Sequence, residues 1–338
     1  MKNQTPYGQP LLQTRRHLFK SAMVMPLAAY LPASFAQSAA YPARATKLII
    51  PFPAGGATDY AARAIGSALS EVWRQPVVPE NRVGAGSTIG TELGAKSAPD
   101  GYTLVMGIPA GITIAPHIYP KLGYDPLVDL LPVAGFATSP LVVVVPADSP
   151  FKTFAELVTY ARANPGKLSY ASNGNGSLPH LTTEWFLSLA KISLTHVPYR
   201  GSAQALPDLI AGRTQVMIDI IVSALPLIEG GRLRALAVTG PQATSRLPGV
   251  PTVASLGYPS FASDQWYGLF VPKGTPDSIV RKIESDVQGV TADTRMRGQM
   301  WQRGAEVTFL PSKAFDTVVR ADSKRWAVIA KATGALAE

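Results

Sequence analysis

No cysteine occurs among the 338 residues, which removes thiolate nucleophiles, thiolate metal sites and disulfide frameworks together. It suits an oxidising compartment, where a chain without thiols cannot mispair. Histidine is almost as scarce. Beyond residue 36 only His117, His180 and His196 remain, scattered rather than set at metal-ligand spacing, so no metal site is expected. Charged residues make up only 16% of the chain. Of the 31 basic residues, Lys2, Arg15, Arg16 and Lys20 fall within the first 36 positions, which hold no acid, leaving 27 basic against 22 acidic side chains. No run of Lys or Arg occurs in that remainder, so the clustered basic face that nucleic acid requires is missing. No second apolar stretch near 18 residues follows the N-terminal one, so the sequence offers no membrane-spanning helix.

The N-terminus reads as an export signal. "TRRHLFK" precedes the apolar, proline-broken "SAMVMPLAAYLPASFA", and Ser34-Phe35-Ala36 supplies a small-x-small cleavage site. Arg15-Arg16 with Leu18, Phe19 and Lys20 resembles a twin-arginine signal, with an ordinary secretory signal as the alternative. Residues 1–36 are therefore set aside, with cleavage expected near Ala36.

The remainder has material for two packed cores, with 46% hydrophobic residues overall. From about Ala45 it repeats a unit: a short β-rich run, a Gly/Ser/Pro turn, then an apolar-periodic segment. That alternation predicts an α/β fold with parallel-rich sheets covered by helices. Strands are expected at "KLII" (47–50), "YTLVMG" (102–107), "LVVVV" (141–145), "KLSYAS" (167–172), "LTHV" (194–197), "QVMIDII" (215–221), "LRALAVT" (233–239) and "YGLFV" (267–271). Thr153, Thr275-Pro276 and Ser312 mark helix starts. Two proline-rich stretches, 145–154 and 240–263, read as crossings between domains. They divide the chain into one lobe of residues 37–145 plus 261–338 and another of 146–260, with a hinge between them.

The chemistry concentrates in turns. "FPAGGATD" joins a strand to a helix through Gly55-Gly56, freeing the first helical N–H groups with the positive end of the dipole behind them, which holds an anion. The P-loop lysine and the Gly-x-Gly-x-x-Gly spacing are both absent, so the turn suits a small charged group rather than a nucleotide, and no cofactor is expected. Taken alone, it is equally a plain βα turn capped by Thr58 or Asp59. The pattern recurs at Asn173-Gly174-Asn175-Gly176-Ser177 and at Tyr199-Arg200-Gly201-Ser202, and in parallel sheets such turns share the carboxyl edge. One helix start contributes roughly 0.3–2 kcal/mol, whereas micromolar binding needs about 8 kcal/mol. Several donors from both lobes must converge.

Other residues admit two readings. Ser177 and His180 stand one helical turn apart, as nucleophile and base or as a helix cap with an incidental histidine; no Gly-x-Ser-x-Gly elbow surrounds Ser177. Arg200 is a bidentate carboxylate clamp or a solvated loop charge. Asp219, the one charge in "VMIDII", ties loops together or meets the ligand. Trp266 is a pocket wall or plain core. "GAGSTIG" (84–90) reads as a surface loop.

The set "LIIPFPAGGATD", "VVPENRVGAGSTIGTELGAKSAPDGYTLVMG", "SYASNGNGSLPHL", "VPYRGSAQALPDLIAGRTQVMID", "LRALAVTG" and "WYGLFVPKGTP" resembles the Bug family of extracytoplasmic solute receptors, the binding components of tripartite tricarboxylate transporters. The likeness spans essentially the whole chain after residue 36. It implies a two-lobe periplasmic binding fold of the type II-like Venus flytrap kind, a small organic carboxylate held between the lobes, membrane permease subunits as partners, a monomer and no catalysis. The ligand loops it implies are Phe52 to Asp59 (Phe52, Ala54, Gly55, Gly56, Ala57, Thr58, Asp59), Asn173 to His180, and Tyr199 to Ser202. Asn173, Asn175 and "GIPAGI" (107–112) depart from the usual family residues, so the ligand's far end does not transfer. An exported Ser177/His180 hydrolase and a ligand-sensing receptor for a signalling partner are the competing expectations.

Overall fold

The computed structural model describes residues 41–335; the export signal expected at 1–36 lies outside them. The elements run β1 (Thr46–Ile50), α1 (Ala57–Trp73), β2 (Val77–Asn81), α2 (Thr88–Ala95), β3 (Thr103–Gly107), α3 (Ala115–Ile118), β4 (Leu130–Pro146), α4 (Phe154–Ala163), β5 (Ser169–Ser172) and α5 (Leu178–Ala190). They continue with β6 (Thr195–Pro198), α6 (Ser202–Ile210), β7 (Val216–Ile220), α7 (Ile221–Glu229), β8 (Leu233–Val238), β9 (Asp264–Pro272), α8 (Asp277–Ala292), α9 (Thr294–Gln302), β10 (Glu306–Pro311) and α10 (Ser312–Thr333). A π-helical turn, Ala110–Ile114, precedes α3.

The strands run in the order β2-β1-β3-β9-β4-β7-β5-β6, with β8 and β10 also pairing β4. Among the named strands, parallel pairing joins β1 with β2 and β3, and β5 with β6 and β7. Every pairing of β4, and that of β3 with β9, is antiparallel. The parallel-rich expectation therefore describes the two flanks that carry the glycine turns. The centre is antiparallel because the return strand β9 and the long β4 bring the chain back between those flanks.

Strand β4 holds the architecture together. Its first part, Leu130 to Pro140, pairs with β9, whereas Leu141 to Pro146 pairs with β7 and β8, so one strand passes from the first sheet to the second without a loop. The switch falls at Pro140–Leu141, ahead of the boundary expected at residue 145. Thr239 closes the same point from the returning chain: Leu141 N–H donates to its Oγ1 (2.9 Å), and that hydroxyl donates to Ser263 O (2.6 Å).

Both faces of these strands are covered, as near-continuous apolar runs demand. On β3, Leu104 and Met106 join the large core with Ile65 and Leu69 of α1 and Ile283 of α8, whereas Val105 points the other way to Phe270, Phe315 and Val319. On β4, Val143 and Val145 face the large core while Val142 and Val144 meet Ala205, Leu209 and Leu225 of the second sheet's helices. Thr153 caps α4, its hydroxyl accepting from Glu156 N (3.2 Å). Thr275 and Ser312 do not cap: their hydroxyls donate to Pro272 O (2.7 Å) and Pro132 O (2.6 Å). "GAGSTIG" is not a surface loop. Ser87, Thr88 and Thr91 are buried, and Gly90 lies so close to Pro51 and Arg82 that a Cβ would overlap their backbones, which is why α2 can pack on β1.

Candidate functional site

The first turn leaves β1 at Pro51 and enters α1 through Gly55 and Gly56. Gly55 sits at φ +82°, the left-handed region that favours glycine, whereas Gly56 is extended at φ −87°. No side chain caps α1. Asp59 instead reaches back to latch the turn: its carboxylate accepts from Gly55 N (3.0 Å), Arg63 Nε (2.9 Å) and Asn81 Nδ2 (2.9 Å). Burial pushes this carboxyl up, but the bonds from Arg63, Gly55 and Asn81 outweigh it and hold the group below its ordinary value.

The second turn leaves β5 at Ser172. Ser177 caps α5, its hydroxyl accepting from His180 N (3.3 Å), and has no exposed surface. His180 turns away behind the loop, stacking on His196 with ring centroids 4.3 Å apart, while its Nδ1 accepts from Gly176 N (3.3 Å). His196 stacks in turn on Tyr170 and meets Ser172 Oγ at 2.6 Å. Burial lowers both histidines to about 4, with the His196 charge adding to the effect on His180. A nucleophile–base pair at Ser177 and His180 is thereby excluded, since one is spent as a cap and the other is locked neutral in a stack.

The third turn leaves β6 at Pro198. Tyr199 OH donates to Asp208 (2.9 Å), the Arg200 side chain is exposed, and Gly201, at φ +95°, opens α6 without a side-chain cap. Ser202 Oγ donates to Asp219 Oδ1 (2.9 Å) and lies 3.2 Å from Asn173 Oδ1, and Asn173 Nδ2 donates to the same Asp219 oxygen (3.1 Å). Asp219 has no exposed surface.

These turns meet. Gly201 faces Pro53 so closely that a Cβ would lie 3.4 Å from Pro53 Cγ. Between them is an inner pocket walled by Phe52, Pro53, Ala54, Gly56, Ala57 and Thr58 from the first turn. Opposite stand Asn173, Leu178 and Pro179 of the second turn, with Gly201, Ser202 and Ala203 of the third. Ile108 and Ala110 at the π turn, Ile220 at the uncapped start of α7, and Gln265 complete it. Only about 20 Å³ is open to the centre of a water-sized molecule, room for roughly one water. It shares Phe52, Pro53 and Asn173 with an outer cleft of about 800 Å³, which Tyr119, Tyr199, Arg200 and residues 83–87 also line. On its other side Gly55, Asp59, Arg63 and Arg303 line a recess of about 550 Å³.

Of the expected site residues, Phe52, Ala54, Gly56, Ala57, Thr58, Asn173, Gly201 and Ser202 share the inner pocket. Tyr199 and Arg200 belong to the outer cleft, and Gly55 and Asp59 to the far recess. Four do not line these spaces. Ser177 and His180 are held as described, and Asp219 lies beneath Asn173 and Ser202. Trp266 points to the opposite face of β9, packing on Phe270 and Phe315 and donating Nε1–H to Asp322 (2.9 Å). Its neighbour Gln265 takes the pocket side, because successive strand residues face opposite ways. Pro53, Leu178 and Pro179 also line the pocket and fall within the expected loops Phe52 to Asp59 and Asn173 to His180, whereas Ile108, Ala110, Ala203, Ile220 and Gln265 lie outside every expected loop; of these only Ile108 and Ala110, in "GIPAGI", carried a signal, as a departure from a known pattern.

Chemically, the pocket offers helix starts α1, α6 and α7 without side-chain caps, from both sheets, in an otherwise apolar enclosure. Among the described residues no cluster of metal-ligating side chains occurs, and no helix is long and apolar enough to cross a membrane.

The sequence model described as "Tripartite tricarboxylate transporter family receptor" matches residues 61–335. A UPF0065 protein from the tcbD-tcbE intergenic region of Pseudomonas sp. (strain P51) is 39% identical over 288 residues, covering 85% of each chain. The solved structure of R. palustris Rpa4515 with adipate is 36% identical with a TM-score of 0.83, covering 87% of this chain and 98% of that one. The structure of periplasmic binding protein BugD is 33% identical with a TM-score of 0.83, covering 88% and 99%.

Proposed function

We propose, from the premise that the chain belongs to the tripartite tricarboxylate transporter family of receptors, that it captures a small organic carboxylate in the inner pocket and delivers it to the membrane subunits of such a transporter. The observation that carries this reading is the convergence of helix starts without side-chain caps at Gly56, Gly201 and Ile220 on one enclosed space. Their free N–H groups and dipoles favour negative charge, and several together reach what one cannot: charge-assisted bonds of roughly 1.5–3 kcal/mol each sum to the ~8 kcal/mol of a micromolar complex. Adipate in a relative of the same fold supports a carboxylate as the ligand class.

The head group enters the inner pocket and the remainder of the molecule lies in the outer cleft, toward Arg200 and Tyr119. The lobes are the halves built on the first and second sheets, residues 37–145 plus 261–338 and 146–260, a division supported by the change of β4 from pairing with β9 to pairing with β7 after Pro140. The protein works as a periplasmic monomer, exported by the signal that ends near Ala36. Closing the lobes excludes water and strengthens each bond to the anion. The chain is a solute-binding protein and not an enzyme.

Titration calorimetry against mono-, di- and tricarboxylates tests the proposal. A ligand at one hundred times its Kd stabilises the folded chain by about 2.7 kcal/mol, so the Tm rises measurably with the right one. Failure of the whole panel either to bind or to raise the Tm removes the carboxylate reading.

A further inference from the structure

Beneath the pocket floor lies a carboxyl group that the proposed capture does not yet use. Asp219 Oδ1 accepts from Asn173 Nδ2 and Ser202 Oγ, while Oδ2 is buried with no hydrogen-bond partner. Asn173 and Ser202 are 8% and 4% exposed and form part of the pocket wall, so Asp219 is one hydrogen bond removed from the pocket lining through either side chain.

The groups around it supply no positive charge. Strand β4 presents Val142 in register with it, and the end of β5 presents Asn173. Ser202 comes from α6, and the start of α7 contributes the Ile220 backbone N–H. Helix α5 packs apolar residues, Leu178 and Leu181, into the cluster that holds Ile218 and Ile220. From β9 comes the Tyr267 hydroxyl, buried without a partner and raised above its ordinary value by burial and then by the Asp219 charge. An anion in the pocket therefore faces an ionised Asp219 with no cation between them, and like charges at such range favour a proton on one of them.

The hydrogen-bond inventory points the same way. A serine hydroxyl has one proton. With Asp219 ionised, the Ser202 proton is committed downward and only lone pairs face the pocket, the wrong polarity for a carboxylate. With a proton on Asp219 Oδ1, that oxygen donates to Ser202 Oγ, and the serine proton is freed for the ligand, whose negative charge makes it a stronger acceptor than the neutral Asn173 Oδ1 at 3.2 Å. Burial already pushes the Asp219 carboxyl up to about 6 against the lowering effect of the hydrogen bonds from Ser202 and Asn173 and of the nearby Ile220 backbone N–H.

We propose that Asp219 is a positioning residue that takes one proton from solvent when a carboxylate occupies the inner pocket, and that this proton turns Ser202 from an acceptor into a donor toward the ligand. The inference rests on the carboxylate reading and deepens it: the bound species is the anion together with one proton. It also makes Ser202 selective, since a ligand bearing a hydroxyl in place of the carboxylate gains nothing from protonation of Asp219.

The test is calorimetric titration with adipate, ionised at neutral pH, in buffers of differing ionisation enthalpy between pH 6 and 8. Uptake is expected to approach one proton per adipate, with Kd rising up to about tenfold per pH unit. In Asp219→Asn uptake vanishes and Kd becomes flat with pH. Asp264→Asn is the control, because Asp264 on β9 is also raised to about 6 by burial but touches neither Asn173 nor Ser202; it retains the uptake. Infrared difference spectra of the wild type show a protonated-carboxyl band on adipate addition, which decides the matter even where Asp219→Asn does not fold. Binding without proton uptake, uptake unchanged in Asp219→Asn, or no such band overturns the role of Asp219 alone. Failure of adipate and of every other carboxylate in the panel to bind overturns the carboxylate reading beneath it.

Discussion

Gly56 and Gly201 open two helices on opposite sides of the same pocket, yet the backbone separates what replacing each by alanine will do. At Gly56, φ is −87° and an added Cβ meets only Pro53 O at 3.8 Å, so Gly56→Ala introduces no strain and simply places a methyl group in the pocket. The free space there is about 20 Å³, comparable to one water, so the methyl competes directly with the ligand head group. Overpacking of that order costs about 1–3 kcal/mol, which converts to a roughly 5- to 150-fold rise in Kd with the Tm of the unliganded protein unchanged. At Gly201, φ is +95° with ψ 170°, a conformation nearly restricted to glycine. Gly201→Ala therefore costs about 1–3 kcal/mol of folding stability, a Tm loss of a few degrees for a chain of this size, while its Cβ makes only ordinary contact with Pro53. Differential scanning calorimetry of both variants, followed by titration with the tightest-binding carboxylate, separates the effects. A Gly56→Ala protein with wild-type affinity, or one destabilised as much as Gly201→Ala, refutes the placement of the first turn in the site.

Asp59→Ala removes the acceptor shared by Gly55, Arg63 and Asn81; urea unfolding is expected to show a loss of about 1.5–3 kcal/mol, and titration a weaker Kd as the first turn loosens. Gly268→Ala, remote from the pocket, drives a Cβ into the Phe315 ring and lowers the urea midpoint by the equivalent of about 1–3 kcal/mol while leaving Kd alone. The histidine stack gives a pH signature. Both rings sit near 4, below the unfolded value of about 6.5, so their contribution is full above pH 6.5 and is lost as pH falls toward 4. Asp219 and Asp264, raised to about 6, run oppositely over that window, their contribution being lost as pH rises from 4 to 6. The histidine part is read as the difference in unfolding free energy between wild type and His180→Asn/His196→Gln, which should shrink as pH drops from 6.5 to 4; a constant difference contradicts it.

The three turns were legible because glycine, proline and small polar residues punctuate strand ends for stated steric reasons, and Gly55, Gly174, Gly176 and Gly201 do adopt positive φ. What stayed hidden has physical causes. Strand β4 contains Pro132 and Pro140, which break the propensity pattern; the ladder absorbs the first at a register shift and uses the second where the strand changes sheets. β2 reads as loop because Pro79 and Glu80 are tolerable only on an edge, and β10 likewise pairs on one side. Gln265 was missed and Trp266 chosen through a one-residue ambiguity that period two makes decisive. Ala110 reaches the pocket from a π turn, which has no local signature in composition, and Ile108 from the short link between β3 and that turn.

The uninterrupted passage of β4 between sheets bears on how such a receptor moves. A rotation of one half against the other is not taken up by slack chain at this crossing; it is absorbed as torsion along a hydrogen-bonded ribbon at Pro140–Leu141, where one residue bonds to β9 and the next to Thr239. Under such a rotation the strand would act as a torsion bar, its ladder bonds at Pro140–Leu141 favouring the angle at which both sheets pair fully. Release of cargo at the membrane would draw on that elastic restoring twist.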